Sequence, residues 1–347
     1  MDPMILNAVV ALAPVLICLI VFDRIDAFGL VSLPMVALLL LAGGAVAAAG
    51  YYINGGVLDQ FPLGPDRYAQ TVAPVIEECL KAGLLVVVFW LNRIGYLIDA
   101  VIVGFAIGAG FSVVENLFYL HQFSQANVGV WLVRGFGTAI MHGGASALFA
   151  VITQLLYTPR LRSDASRFHF NPLLFLPGLA LAIALHAAFN RFTSQPLIAM
   201  VVMLVGIPLG LYAIFALGET YAHRWLAHNR ESHSQLQADI ESGAFAASED
   251  GRAIQALAGR LDAKGASAVM ECVRLHVDLV VKADINLLDL EAHEAKAHHA
   301  HVRGAFHRLH LLERQLGRST VMALRQHLHF SRNDLWEMHE LEAHAVD

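Results

Sequence analysis

Apolar residues gather into seven long stretches over roughly the first two thirds of the chain, whereas polar residues dominate the remainder. A helix needs about 20 mostly apolar residues to cross a bilayer. The pattern therefore predicts seven transmembrane helices, at residues 4–22, 29–51, 70–91, 97–120, 131–157, 172–193 and 196–217. A polar, proline-containing turn at residues 191–196 separates the last two.

Charged residues divide the chain at Gly218. Residues 1–218 contain nine Lys/Arg and ten Asp/Glu. The remaining residues contain fourteen Lys/Arg, nineteen Asp/Glu and fourteen of the eighteen histidines. The predicted fold is therefore all-α and polytopic. It has a transmembrane domain at residues 1–218 and a helical, His-rich cytoplasmic tail domain at residues 219–347.

Several helices are expected in the tail. The pattern predicts them at residues 219–242, 251–263, 266–283, 285–315, 319–328 and 332–344. Four valines, Val273, Val277, Val280 and Val281, follow three- and four-residue steps, which is typical of an amphipathic helix. A helical hairpin or a homo-oligomeric coil would bury this stripe. The histidines crowded within residues 293–310 favour a solvated helical surface, with a regulatory or pH-sensing role as the functional alternative.

The composition narrows the class of protein. Apolar residues make up 57% and charged residues 15%, with a mean hydropathy of +0.56. Globular proteins have about 45–50% apolar and about 25% charged residues, so this composition excludes a disordered chain and argues against an ordinary soluble enzyme. The net charge of -6 offers no basic surface for nucleic acid. Cys18, Cys79 and Cys272 form no disulfide framework and are expected to be free thiols.

Arginines in the short loops predict the orientation in the membrane. One side of a seven-helix arrangement receives Arg24, Arg93, Arg160, Arg162, Arg167 and Arg224, and the other receives Arg67, Arg134 and Arg191. The richer side is expected to be cytoplasmic, which places the N-terminus outside a plasma membrane and the tail inside. The first span is not read as a cleavable signal peptide, because its Met-Asp-Pro start lacks positive charge.

Ionisable residues inside the predicted spans indicate a polar site. Up to Gly218 the chain has three glutamates, Glu77, Glu78 and Glu115, and one lysine, Lys81, all within spans. Such residues cost about 2.5–3.5 kcal/mol each on insertion scales, and they face the bundle interior or a water-filled cavity. An inter-helix ion pair that only fixes packing is the structural alternative.

Helix geometry separates the two adjacent glutamates. Lys81 follows Glu77 by four residues and Glu78 by three, so its ammonium can neighbour either one. The two carboxylates differ by about 100° around the helix axis. One can pair with Lys81 while the other points into a cavity, and two carboxyl groups in different environments suit general acid–base chemistry.

Two histidines lie in later spans at a similar depth. His142 shares a helix face with Ser146, and His186 shares one with Asn190. Counted from the expected outer face, the glutamates and these histidines lie about 8–17 Å deep at roughly 1.5 Å per residue. Groups from four helices at one depth indicate a shared site.

Three short motifs carry a family resemblance. Glu77-Glu78-Cys-Leu-Lys81 is similar to the EExxK motif of PrsW-type intramembrane proteases, and Phe111-Ser-Val-Val-Glu115 resembles their FxxxE motif. His186 with Asn190 resembles the later histidine motif, and this HxxxN pattern also occurs in CAAX-processing-type membrane proteases. The resemblance covers residues 65–195. It implies an endopeptidase of a bacterial inner membrane that cuts another membrane protein, such as a single-pass regulatory protein.

The resemblance suggests a role for each residue of the site, but it does not distinguish between the adjacent Glu77 and Glu78. Glu77 or Glu78 would be the base that activates water, and Glu115 would orient water or the first glutamate. His186 would stabilise the oxyanion or protonate the leaving amine, Asn190 would add an oxyanion donor, and His142 would be a further member. Lys81 would hold the paired carboxylate in its charged form.

Metal dependence stays open at this point. Glu77 or Glu78, Glu115, His142 and His186 could supply the nitrogen and oxygen ligands that a catalytic zinc needs. The chain contains no HExxH motif, so a metal-free mechanism is the alternative.

Other classes of protein fit these residues less well. Buried Glu, Lys and His groups also serve proton relays, so an ion- or proton-coupled transporter is the main alternative, and a receptor that signals through its tail is another. A serine protease is disfavoured because Ala147 replaces the second glycine of a GxSG pattern around Ser146.

Overall fold

The computed structural model describes residues 3–25, 31–60, 63–123, 125–161, 169–192, 195–288 and 295–346. Helix accounts for 89% of the structure and no strand occurs in these ranges, which confirms the all-α prediction. The chain forms two compact units. One comprises Met1–Tyr157 and Phe170–Gly218, and the other comprises Thr158–His169 and Glu219–Asp347.

The first unit is built mainly of long apolar helices. Its elements are α1 (Pro3–Ile25), α2 (Leu33–Leu58), α3 (Pro65–Trp90), α4 (Leu97–Gln122), α5 (Val128–Val133), a π-helical turn (Arg134–Thr138), α6 (Ala139–Leu161), a 3₁₀ turn (Pro172–Phe175), α7 (Leu176–Arg191) and the first part of α8 (Pro196–Ser242). The break between α7 and α8 coincides with the polar turn that the sequence predicts.

Five segments are long and apolar enough to cross a membrane: Leu33–Leu58, Leu97–Gln122, Val128–Arg160, Pro172–Arg191 and Pro196–Ala213. They support an integral membrane protein, but they do not confirm the predicted count of seven spans. Helix α3 falls outside this set and carries Glu77, Glu78 and Lys81 along its middle. Within α1, the apolar stretch in the described residues, Ile5–Val15, is shorter than the candidate spans.

Helix α4 is deeply buried in the first unit, with every residue from 99 to 112 buried. Its glycines allow neighbouring helices to approach closely. A Cβ atom at Gly104 or Gly108 would collide with the backbone of α6, and one at Gly110 would collide with the backbone of α2. The contact at Gly108 is with the backbone of His142, which holds this histidine directly against α4.

The second unit has its own apolar core. It contains the last part of α8, a 3₁₀ turn (Ala244–Ala247), α9 (Glu249–Ala258), α10 (Ala263–Leu288), α11 (Ala295–Leu316), α12 (Arg318–Leu328) and α13 (Arg332–Val346). The four valines of the predicted stripe, Val273, Val277, Val280 and Val281, all lie in this core, where α11 contributes Phe306 and Leu309. The chain itself therefore covers the stripe.

Two tail histidines that the sequence analysis did not single out, His233 and His276, are buried beside carboxylates. Nδ1 of His233 lies 2.8 Å from Oδ2 of Asp284, and its Nε2 lies 3.6 Å from Oδ2 of Asp334. Nε2 of His276 lies 3.3 Å from Oε1 of Glu313. Burial disfavours the charged form of His233, but the Asp284 hydrogen bond and the two nearby carboxylate charges outweigh it and raise its pKa.

This arrangement predicts a pH-dependent contribution to the stability of the second unit. A raised pKa means that charged His233 stabilises the fold fully below its ordinary value of about 6.5, and that this stabilisation is lost as pH rises through the folded value. His233→Gln should therefore lower the free energy of local unfolding by about 1–3 kcal/mol at low pH, and by less at high pH. Hydrogen exchange of α10 and α13 in the full-length protein, compared with wild type at each pH, measures this difference.

The exposed His301 provides the matched control, since His301→Gln should leave the free energy of local unfolding unchanged at both low and high pH. An equal loss of protection for His233→Gln at every pH would contradict the charge-based account.

Candidate active site

The ion pair predicted for Lys81 forms with Glu78. Nζ of Lys81 lies 2.6 Å from Oε1 of Glu78, and the two side chains are only 1% and 2% exposed. The residues are three positions apart and therefore share one face of α3. Lys81 also lies 4.9 Å from the ring centre of Phe111 on α4. Removing either charge would leave the other buried and unpaired, at a cost of about 3–5 kcal/mol.

Two histidines from separate helices meet this ion pair. Nδ1 of His186 on α7 lies 2.8 Å from Oε1 of Glu78, and Nδ1 of His142 on α6 lies 3.1 Å from Nζ of Lys81. Their rings stand nearly perpendicular with centres 4.7 Å apart. A carboxylate accepts and an ammonium donates, so these partners assign the hydrogen of His186 to Nδ1 and that of His142 to Nε2.

Glu77 faces a different set of groups from Glu78. Its Oε1 accepts a hydrogen bond of 3.0 Å from Nδ2 of Asn54 on α2, and its Oε2 lies 3.8 Å from Nε2 of His186. The hydroxyl of Tyr68 donates in turn to Oδ1 of Asn54 at 2.9 Å. This relay fixes the orientation of the Glu77 carboxylate. Sequence reasoning missed Asn54 and Tyr68, although Asn54 is a polar residue within a span that has no Asp, Glu, Lys or Arg.

Glu115 joins the site through His142. Its Oε2 lies 3.2 Å from Nε2 of His142 and 3.1 Å from Nη2 of Arg134. At 24% exposure, the Glu115 side chain is more accessible than those of Glu77 (14%) and Glu78 (2%). Sequence reasoning placed Arg134 only among the loop charges and did not predict its contact with the site.

Asn190, a residue of the predicted site, and Ser146, which the sequence disfavours as a nucleophile, have other surroundings. Nδ2 of Asn190 donates to the backbone oxygen of Ala69 at 2.8 Å, which links α7 to α3. The buried hydroxyl of Ser146 has no hydrogen-bond partner within the described part of the chain. No general base therefore contacts Ser146 in the way that a serine nucleophile requires.

Three side chains are close enough to share one metal ion. Glu77, His142 and His186 each offer one ligand atom, and these atoms all lie within 4.8 Å of one another. Two histidines and one glutamate form a ligand set found in catalytic zinc sites. Sequence reasoning left Glu77 and Glu78 as alternatives and added Glu115 and the two histidines, and the group that the structure brings together contains Glu77 and both histidines. Glu78 and Glu115 also contact the histidines, Glu78 at Nδ1 of His186 and Glu115 at Nε2 of His142.

Buried carboxylates and histidines from α3, α4, α6 and α7 thus converge inside a helical unit with five candidate membrane spans. This arrangement defines a membrane-embedded site for acid–base or metal-assisted chemistry. The chain belongs to the PrsW family of intramembrane metalloproteases, whose family model matches residues 32–217. It is therefore a peptide hydrolase integral to a membrane, as the three motifs implied. No curated protein and no solved structure matches the chain.

The relay from Tyr68 to Glu77 makes a testable prediction. Tyr68→Phe removes the hydroxyl that holds Asn54, so Glu77 should lose its fixed orientation while the apolar packing of the ring is kept. Loss of such supporting hydrogen bonds costs about 10–100-fold in activity or metal affinity. We expect a decrease of this size in peptide cleavage, measured on purified protein at equal amounts.

Tyr52→Phe provides the control, because Tyr52 on α2 is a tyrosine of the same unit that is 77% exposed. Equal activity of the Tyr68 and Tyr52 variants would show that the relay does not matter for the reaction.

Proposed function

We propose that this protein is a metal-dependent intramembrane endopeptidase that hydrolyses a peptide bond in or beside the membrane segment of another membrane protein. Glu77, His142 and His186 would hold a zinc ion. The proposal rests on the convergence of these three ligand groups, from three helices, within 4.8 Å.

The surroundings of both histidines fit metal binding. A metal-bound histidine almost always donates its other ring N–H to a carboxylate, a backbone carbonyl or water. Glu78 lies in this position for His186, at Nδ1, and Glu115 lies there for His142, at Nε2. The nitrogens left for the metal are then Nε2 of His186 and Nδ1 of His142.

A zinc ion bound here would make a water molecule acidic enough to ionise near neutral pH and would polarise the scissile carbonyl group. The chain would supply the proton transfers. We assign the general base to Glu115, which would take a proton from water and pass it to the leaving amine. Glu77 is assigned to the metal, and Glu78 is only 2% exposed with its Oε1 beside Lys81 and His186. Glu115 is the most exposed of the three carboxylates at 24%, and its contacts with Arg134 and His142 both involve Oε2.

The remaining polar groups would keep the site in order. Lys81 would keep Glu78 ionised, and Glu78 would in turn hold His186 in the tautomer with hydrogen on Nδ1. Asn54 would hold Oε1 of Glu77, which leaves Oε2 on the side of His186.

One contact favours a metal-free mechanism as the second candidate. Nζ of Lys81 lies 3.1 Å from Nδ1 of His142, the nitrogen that a metal would need. In a metal-free reaction, Lys81 would keep this contact, a glutamate would activate water directly, and His186 would stabilise the oxyanion. Metal removal distinguishes the two mechanisms.

The substrate is proposed to be a polypeptide within or at the surface of the lipid bilayer, because the site lies in a unit rich in membrane-spanning helices. The arginine pattern supports a cytoplasmic tail and an outer position for the site. Family membership favours hydrolysis over the transporter and receptor alternatives.

New protein N-termini provide the first test. Membranes that contain the wild-type protein should show new termini in or beside the membrane segment of at least one protein. Glu115→Gln should reduce their rate of formation by roughly 10²–10⁴-fold, the contribution of general acid–base catalysis. Asp66→Asn is the matched control, since Asp66 is an exposed carboxylate in the first turn of α3. Identical termini in all three membranes would contradict the proposal.

Metal removal provides the second test. Purified protein should contain about one zinc ion per chain, lose both zinc and cleavage activity on chelation, and regain both when zinc is returned. Glu77→Gln should weaken zinc binding while the helical content stays unchanged. Full activity in metal-free protein would establish the metal-free mechanism instead.

A further inference from the structure

We propose that Arg134 is a positioning residue of this active site: it fixes the Glu115 carboxylate, and through Glu115 it sets the orientation and tautomer of His142. The inference rests on the proposed function and deepens it, because it explains how a ring from α6 is held ready for the reaction.

A single oxygen atom joins the three residues. Oε2 of Glu115 lies 3.1 Å from Nη2 of Arg134 and 3.2 Å from Nε2 of His142. Arg134 is always charged, so it supplies a permanent counter-charge for Glu115 inside an apolar unit. The ionised carboxylate then accepts the N–H of His142 at Nε2, which leaves a lone pair on Nδ1. This lone pair faces the centre of the site, 3.1 Å from Lys81.

Arg134 is itself held from two further directions. Its Nε donates to Oδ1 of Asn116 at 2.9 Å, and Nδ2 of Asn116 donates to the backbone oxygen of Ala11 on α1 at 3.2 Å. Its guanidinium carbon lies 3.9 Å from the ring centre of Tyr119. The guanidinium group therefore packs against three residues of α4, Glu115, Asn116 and Tyr119. Asn116 in turn links it to α1.

The π-helical turn explains how Arg134 and His142 reach the same oxygen. Eight residues separate them, which in a regular α-helix would place their side chains about 80° apart around the axis. The turn Arg134–Thr138 inserts about one extra residue, so the spacing acts like seven residues and the two side chains lie about 20° apart. Such turns are frequent at functional sites. The irregular backbone therefore aligns Arg134 with His142.

A purely structural ion pair would make a different prediction. It would contribute to packing of α4 against the α5–α6 segment, and its loss would change thermal stability without a specific effect on His142. A positioning role requires that Arg134 act only through Glu115 and that its loss alter what Nδ1 of His142 can bind.

A double-mutant cycle separates these roles in the full-length protein reconstituted in lipid nanodiscs. The variants are Arg134→Gln, Glu115→Gln and the combination, with Arg67→Gln as the matched control for an exposed arginine of the same unit. The zinc dissociation constant is measured by competition with a chromophoric chelator. The kcat and KM values are measured on the substrate that the N-terminal comparison identifies.

We expect Arg134→Gln to weaken zinc binding by about 10–100-fold and to lower kcat by a similar factor with little change in KM. The double variant should be no worse than Glu115→Gln alone, since Arg134 acts through that carboxylate. Arg134→Lys keeps the charge and should retain the fold, but it loses the hydrogen bond from Nε to Asn116, so its zinc affinity and kcat should fall between those of wild type and Arg134→Gln.

Additive effects of the two substitutions would overturn the proposal, as would an Arg134→Gln protein that changes only its melting temperature. If the wild-type protein cleaves its substrate without zinc, the metal assignment fails on its own and the kcat cycle decides the role of Arg134. If Arg134→Gln does not fold, the same cycle is measured with Arg134→Lys, where additivity with Glu115→Gln would again overturn the assignment.

Discussion

Two opposite charges, on Glu78 and Lys81, lie almost completely out of contact with solvent, and the positions of the other polar groups follow from their pairing. Neither charge could remain in an apolar helical unit without the other. Once paired, each still has hydrogen-bonding capacity to fill, and the two histidines provide it: His186 at the carboxylate and His142 at the ammonium. The ion pair therefore favours hydrogen on Nδ1 of His186 and on Nε2 of His142, and Glu115 favours the same tautomer of His142 from the opposite nitrogen.

The site as a whole repeats one arrangement. Each group proposed to act on the metal or water is oriented by a partner that is itself held from elsewhere. Glu78 with Lys81 supports His186, Asn54 with Tyr68 supports Glu77, and Arg134 supports Glu115 and thereby His142. Two of the helices involved, α2 and α6, pack against α4 through the backbone, which limits how far they can move. Such support is what holds reacting groups within the narrow geometry that hydrolysis requires.

The parts of the site that sequence reasoning found, and those that it missed, differ in their physical character. Glu77, Glu78, Lys81 and Glu115 stand out because ionised groups are rare in apolar spans, and helical spacing linked Lys81 to its neighbours. Tyr68 and Asn54 are neutral, so burial gives no comparable signal. Arg134 was counted only among the charges of the outer side. A regular helical period would not bring it beside His142, and the π-helical turn that does so has no simple sequence signature. The burial of His233 likewise depends on packing between helices distant in sequence. The same charges that revealed the site keep α3 outside the set of recognisable spans.

The glycines of α4 have a consequence for how this protein tolerates change. Where Gly104 and Gly108 meet α6, the distance between helices is set by main-chain atoms on both sides and has no adjustable side chain between them. A larger residue elsewhere in a core is often accommodated by a rotamer change nearby, but here the whole of α6 would have to shift. Gly104 and Gly108 should therefore tolerate substitution poorly, because the distance between α4 and α6, and with it the width of the site, depends on the absence of a side chain at these positions.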